Sequence, residues 1–257
     1  MNHEILAARR QRLAAALPLG DAILLVHAGE PVPLPEGSDQ TYPFRSHAEY
    51  LYAAGEECAR GVVVFDPREG ASGWRTFTPP VTEAERVWEG RQPANGQSLD
   101  DLQPWLDARR GRPVMSLGAA RPDAGTERLR EAFTDARRVK DAHELALIRA
   151  AVSATAAGHA LLPELIRPGV TERRIQIELE AEFLRHGART TGYGTIVGTG
   201  PNSAVLHFAP SGRAVRPGDF VLVARRWNKC RRKRGGTLRS PFCRAFNHGR
   251  RMHGVFF

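Results

Sequence analysis

The chain has 257 residues, of which 42% are hydrophobic and 25% charged, as in a soluble globular protein of one large or two ordinary domains. Its net charge is +9, but residues 224–257 hold eleven Lys or Arg and no Asp or Glu, so residues 1–223 carry about −2 and a globally basic surface is excluded. No apolar run approaches the roughly 18 residues of a membrane helix. With three cysteines and no leader-like N-terminus, we expect a cytoplasmic protein without membrane contact.

The first part of the chain alternates predicted helices and strands, which favours an α/β layer structure. Apolar residues at helical spacing predict a helix over 2–16, and Pro18 closes it. Short apolar or β-branched runs predict further strands and helical periodicity predicts further helices. The predicted strands are 22–27, 60–65, 74–78 and 112–117, and the predicted helices are 99–110 and 125–138.

A second unit is predicted to begin near Lys140, where Asp141 and Glu144 form a D-x-x-E capping pair. A long helix follows, and we expect its buried face to consist of Leu145, Ile148, Val152, Thr155 and Leu162.

The next predicted helix starts after Thr171 as its N-cap and places Ile175, Leu179 and Phe183 on one face. Gly, Pro and Asn turns then separate three predicted strands. These strands are 194–198, 204–208 and 219–223.

Single motifs in this unit carry little functional information. The glycines of 192–202 invite a phosphate-loop interpretation, but no GK[ST] and no helix follow them, so turn glycines are the better interpretation. His207 lies in the predicted strand 204–208, and such a histidine is by itself more typical of a hydrogen-bonded core residue than of a site.

The basic segment 224–257 leaves several interpretations open. Its cations and aromatic residues, as in RRWNKCRRKRGG (225–236), are those of a nucleic-acid-binding arm, and the alternative is sequence with no function. A zinc site is disfavoured because the two cysteines lie too far apart for a zinc finger. The residues considered for zinc are Cys230, Cys243, His248 and His253.

Taken in order, the motifs of the second unit resemble the opening of the catalytic domain of Xaa-Pro aminopeptidases (aminopeptidase P). The wider group includes prolidase, creatinase and methionine aminopeptidase and has the pita-bread fold. In the first unit, 42–67 resembles the family segment F-R-x-x-x-x-F/Y-Y-L-T-G-F and the strand after it, and 86–93 resembles the element W-x-G-R-x-P. The stretches of the second unit that carry the resemblance are 140–159, 168–190, 192–210 and 216–223.

The resemblance implies the fold and the domain organisation. We expect an N-terminal creatinase-like α/β domain over 1–139, followed by an incomplete pita-bread (α+β) catalytic domain over 140–223. Residues 224–257 form a basic tail that matches nothing in the family. In this family the N-terminal domain takes part in oligomer contacts, so the resemblance implies a homo-oligomer.

The resemblance also implies the chemistry. Family members remove the N-terminal residue that precedes proline, using two metal ions, usually manganese, that activate a bridging water. Proline-containing peptides are therefore the implied partners. His207 matches the family's active-site strand histidine, which lies near the substrate and not on the metals. Tyr193, Thr195 and Ile196 match a stretch close to the substrate pocket.

The chain departs from the family after Val223. Family members continue with Asp-x-Gly, whose Asp is the first metal ligand, whereas this chain has Ala224 followed by Arg225 and Arg226. The later Asp, His and Glu ligands find no match, because Asp219 is the last acidic residue of the chain.

We therefore expect a family member that is truncated or frameshifted after Val223, binds no metal and lacks activity. The alternatives are a non-catalytic oligomerisation partner and, less favoured, a nucleic-acid-binding protein that uses the tail. Substrate choice among the aminopeptidase P, prolidase and creatinase branches stays open.

Overall fold

The structure, a computed structural model, describes residues 2–35, 38, 40–120, 126–188 and 190–224 in full, and the backbone of 227–228 and 243–247. These residues form two compact units that divide between Val139 and Lys140. Each unit has a hydrophobic core of its own.

A mixed sheet of five strands forms the centre of the first unit. Its strands are β1 (Ile23–His27), β2 (Val62–Phe65), β3 (Trp74–Thr78), β4 (Gln97–Ser98) and β5 (Val114–Gly118). They lie in the order β4-β3-β2-β1-β5. The pairs β1–β2 and β2–β3 are antiparallel, whereas β1–β5 and β3–β4 are parallel.

Four helices cover the two faces of this sheet. They are α1 (His3–Ala16), α2 (Ala48–Ala54), α4 (Leu102–Asp107) and α5 (Thr126–Ala136), and a further helix, α3 (Glu83–Glu89), contributes no residue to either core. Because side chains alternate along a strand, Leu24 and Val26 of β1 enter a core shared with α1, α2 and α5. Ile23 and Leu25 enter the opposite core, against which α4 packs. Burial on both faces explains why β1 is an unbroken apolar run.

Most of the elements predicted for this unit are confirmed, but α2 and α3 were not predicted. All seven residues of α2 are buried, so its sequence has no amphipathic stripe, and none of the residues of α3 is buried. The start of α3 could have been predicted from the sequence, since Thr82 and Glu85 form a capping box there.

The second unit combines helices with short strands. Its elements are α6 (Ala142–Ala160), α7 (Leu162–Leu165), α8 (Glu172–Arg185), β6 (Thr190–Thr191), β7 (Ile196–Thr199), β8 (Phe220–Ala224), β9 (Trp227–Asn228) and β10 (Cys243–Asn247). Strand β8 lies between β7 and β10 and is antiparallel to both, while β6 pairs with β9. The core lies between α8 and the strands and includes Ile175, Leu179, Phe183, Val197 and Val223.

The start of α6 is confirmed, since Asp141 and Glu144 form the predicted capping box, but the predicted buried face is partly wrong. Leu145 and Val152 are exposed, and the helix buries a face of small residues that includes Ala154 and Gly158. The reason is close helix packing: a Cβ added at Gly158 would lie 2.3 Å from Cε1 of Phe183 on α8.

The prediction that no segment has the length and apolarity of a membrane span is also corrected. Residues Ala142–Leu165 form one helical stretch that is long and apolar enough to cross a membrane by length and composition alone. Such a test is weak evidence for a single helix, because core helices pass it as well.

Candidate functional site

The loop between β7 and β8, residues 200–219, carries His207, and one buried carboxylate, Glu172, holds the chain on both sides of this histidine. Before His207, Oε1 of Glu172 accepts hydrogen bonds from the Thr199 amide (2.8 Å), the Thr199 hydroxyl (3.0 Å) and the Asn202 amide group (2.9 Å). After it, Oε2 accepts from the amide (2.9 Å) and the hydroxyl of Ser211. The carboxylate therefore sets the path of the loop that presents His207.

The position of Glu172 follows from the start of α8. Thr171 is the N-cap, and its hydroxyl accepts a hydrogen bond from the Arg174 amide at 3.1 Å. The backbone amides of Glu172 and Arg173 donate to the carbonyls of Arg213 and Ser211. The loop thus satisfies first-turn amides that a helix leaves without partners of its own.

The surroundings of Glu172 favour its ionised form. Burial opposes ionisation, but hydrogen bonds from Ser211, Asn202 and Thr199 outweigh it and hold the pKa of the carboxyl below its ordinary value. Glu172 is fully buried, at 0% exposure. A buried carboxylate that accepts hydrogen bonds at both oxygens is a structural anchor with no lone pair left for a metal or a proton transfer.

A second polar cluster holds the beginning of β8. Nη1 of Arg213 donates to Oδ2 of Asp219 at 2.6 Å and also to the Thr199 hydroxyl. The hydrogen bonds from Arg213 place the pKa of Asp219 below its ordinary value. Gly200 has φ +52°, and a Cβ there would lie 2.6 Å from Nη2 of Arg213, so this turn requires glycine.

The roles of Glu172, Arg213 and Asp219 in holding the loop were not predicted from the sequence. A glutamate directly after an N-cap is usually an exposed residue that interacts with the helix dipole. The available signal was the density of hydroxyl and amide side chains at Thr199, Asn202 and Ser211, which must have buried partners if they lie in a core.

The structure brings one pair of predicted positions together. In the register of β7 and β8, Ile196 lies opposite Ala224. The resemblance predicts that Ala224 takes the place of the first metal-binding Asp. Thr195 is buried and donates a hydrogen bond from its hydroxyl to Oε1 of Glu180 on α8. Tyr193 is 45% exposed. The substrate-binding role of these residues stays a prediction.

His207 does not lie in a strand, so that element prediction is wrong. Residues 200–204 form a 3-10 turn and 205–210 continue as turn and coil, with Leu206 83% exposed and His207 also exposed. The reason is the set of hydrogen bonds to Glu172, which competes with strand pairing for this backbone. Its role near a substrate stays a prediction.

The described residues do not fit a metal centre. No group of three or more His, Cys, Asp or Glu side chains in the described part of the chain could hold an ion. Ala224 ends β8 with a methyl group, and Asp219 at the other end of the strand is bound to Arg213. Within the tail, the side chains of Cys230, Cys243, His248 and His253 lie outside the described residues.

Two family models match the chain in the order of its two units. Residues 6–103 match the aminopeptidase P N-terminal domain, and residues 146–225 match metallopeptidase family M24. The chain therefore combines an N-terminal domain of aminopeptidase P type with the first part of an M24 metallopeptidase domain.

The chain is also similar to individual curated proteins and solved structures of aminopeptidase P type. The chain is 30% identical to Xaa-Pro aminopeptidase 2 of Streptomyces coelicolor, over 84% of this chain and 52% of the relative. It resembles a putative aminopeptidase P of Bacillus anthracis with a TM-score of 0.74 and 17% identity, over 89% of this chain and 62% of that one. It also resembles a zinc-substituted Escherichia coli aminopeptidase P bound to product, with a TM-score of 0.71 and 22% identity, over 88% and 59%.

The chain belongs to the Xaa-Pro aminopeptidase family of M24 metallopeptidases. The predicted fold, an aminopeptidase P N-terminal domain followed by part of a pita-bread domain, is confirmed. The chain spans about half the length of the curated relatives that it matches. A divalent metal belongs to the chemistry of this family, and the described residues of this chain offer no site for it.

Proposed function

We propose that this chain is a catalytically inactive member of the Xaa-Pro aminopeptidase family. The observation that carries the proposal is the end of β8, where the methyl group of Ala224 lies opposite Ile196 and neither side chain can coordinate a metal. Hydrolysis of a peptide bond by a metal pair depends on lowering the pKa of a bound water and stabilising the oxyanion. Without ligands for the metals, this chemistry is lost.

The ancestral activity is then removal of an N-terminal residue that precedes proline, with two manganese ions. The relatives' names support this substrate class, and the M24 match over residues 146–225 supports descent from an active form. In this chain Glu172 continues to order the loop that carries His207, although no metal-bound water is available for the loop to serve.

The test is a turnover assay on the purified 257-residue chain with manganese and an Xaa-Pro peptide, with and without a chelator. We expect no hydrolysis. The variant Ala224→Asp should be equally inactive, because one carboxylate does not make a metal pair. Turnover that a chelator abolishes would refute the proposal.

A second candidate function is assembly through the first unit, as a homo-oligomer or as a partner of an intact relative. Helix α3 supports it, because none of its residues is buried and it exposes Val87 (74%) and Trp88 (85%) side by side. Apolar side chains exposed together favour a protein interface. Light scattering after size exclusion should show a defined oligomer that Trp88→Gln weakens, and a monomer at all concentrations would refute this function.

We also propose that the residues after Val223 arise from a shift of reading frame. The M24 match ends at residue 225, where the composition changes to Lys and Arg without acidic residues. Another frame of the gene should encode Asp-x-Gly directly after codon 223. If no frame does, the tail has another origin.

A further inference from the structure

The first unit contains a groove that has no part in the proposed function. It measures about 400 Å³, within the range of small-ligand sites. Its walls come from one face of α1, the end of α2, strand β3 and the segment that leads into β4. The residues that line it include Leu6, Arg10, Ala54, Glu56, Trp74 and Asn95.

Arg10 is a partly buried cation in this groove, and its bonds go to neutral groups. Nε donates to the Ala53 carbonyl at 2.9 Å and Nη2 donates to the Thr76 hydroxyl at 2.8 Å. The guanidinium carbon lies 5.7 Å from the centre of the Trp74 ring. Among the described residues no carboxylate pairs with Arg10, and Nη1 has no hydrogen-bond partner. Burial lowers the pKa of Arg10, as expected for a cation without a counter-charge.

The acidic residue that lines the same groove, Glu56, is hydrogen-bonded to Asn95 and not to Arg10. The Glu56 carboxylate accepts hydrogen bonds from the backbone amide (2.9 Å) and the side-chain amide (3.1 Å) of Asn95. This pair fixes the segment before β4 against the end of α2. Gly96 packs closely against the backbone of β3, since a Cβ at this position would lie 2.7 Å from the Thr76 carbonyl oxygen. The groove is therefore built from fixed elements, and Glu56 does not neutralise Arg10.

We propose that this groove binds a small carboxylate that carries an apolar group. The free edge of a guanidinium donates hydrogen bonds to a carboxylate with matching geometry. Leu6, Ala54 and Trp74 line the same groove and supply its apolar surface. Arg75 also lines the groove, but it is paired with Glu69 at 2.7 Å, so Arg10 is the arginine of the groove without a carboxylate partner among the described residues. One unpaired charge with Glu56 nearby favours a monoanion over the doubly charged phosphate.

The first test is calorimetric titration of the full chain with N-acetyl-L-leucine, N-acetyl-L-leucinamide and inorganic phosphate. We expect saturable binding of the carboxylate and at least roughly tenfold weaker binding of the amide and of phosphate. Arg10→Gln should weaken carboxylate binding by about tenfold or more. Arg68→Gln, which removes an exposed cation paired with Asp21, should leave it unchanged.

A second pair of variants tests the same idea without a ligand and covers a failure of the Arg10 variant to fold. Leu6 precedes Arg10 by one helical turn, so Leu6→Glu places a carboxylate within reach of the guanidinium, whereas Leu6→Gln does not add charge. Leu6→Glu should melt at a higher temperature than Leu6→Gln and should no longer bind N-acetyl-L-leucine. Equal melting of the two variants, or equal binding of acid and amide by the unmodified chain, would overturn the proposal.

Discussion

The anchoring role of Glu172 can be tested by replacing it with glutamine, which keeps its shape and removes its charge. Three hydrogen bonds reach Oε1 and two reach Oε2. Whichever oxygen becomes an amide nitrogen, at least two donors lose their acceptor, and one of them is a backbone amide that cannot turn away. A buried donor without a partner costs about 1–3 kcal/mol.

We therefore expect Glu172→Gln to lower the free energy of opening of the β7–β8 loop by about 2–4 kcal/mol, since the remaining bonds also lose their charge-assisted strength. Amide hydrogen exchange measures this opening locally, which a global melt of a chain with two units does not. The amides of Thr199 and Ser211 should exchange roughly 30 to 900 times faster than in the unmodified chain.

Glu178→Gln is the matched control. It makes the same chemical change on the same helix, where Glu178 pairs with the largely exposed Arg174 at 2.7 Å. Such pairs contribute about 0–1 kcal/mol, so exchange of the loop should hardly change. Equal effects of the two substitutions would show that Glu172 does not hold the loop.

Two further predictions concern the second unit. Gly158→Ala should lower the melting temperature of this unit, because overpacking against Phe183 costs about 1–3 kcal/mol. Gly212→Ala should not lower it, since a Cβ at Gly212 would enter open space. Equal melting temperatures of the two variants would contradict the close packing of Gly158. The stability supplied by ionised Glu172 should be complete above the ordinary pKa of a glutamate and be lost as the pH falls through its lower folded pKa. The difference in melting temperature between the unmodified chain and Glu172→Gln should therefore shrink in acid, and a pH-independent difference would contradict the ionised state.

Local patterns predicted many of the regular elements. Leu13 in α1 and the buried run of β1 have the periodicity of their elements, and the capping pair of Asp141 and Glu144 marks the start of α6. These features depend on neighbours in sequence, so one sequence is enough to read them.

The errors concern features decided by tertiary contacts. The apolar residues of α6 predict one buried face, but the helix buries the face that contains Gly158, because only a small residue fits against Phe183 there. The apolar run around His207 predicts a strand, but bonds from Thr199 and Ser211 to Glu172 hold that backbone in turns. Contacts between residues distant in sequence decide both the buried face of α6 and the turns around His207. The intrinsic propensities of the residues do not predict such contacts.

We propose that the chain has lost the metal pair of its family, since Ala224 stands where the first ligand is expected and the described residues offer no substitute. Calorimetric titration of the purified chain with manganese chloride tests this directly, whatever substrate is chosen. We expect no saturable binding. Tight binding of two ions per chain, reversed by a chelator, would contradict it.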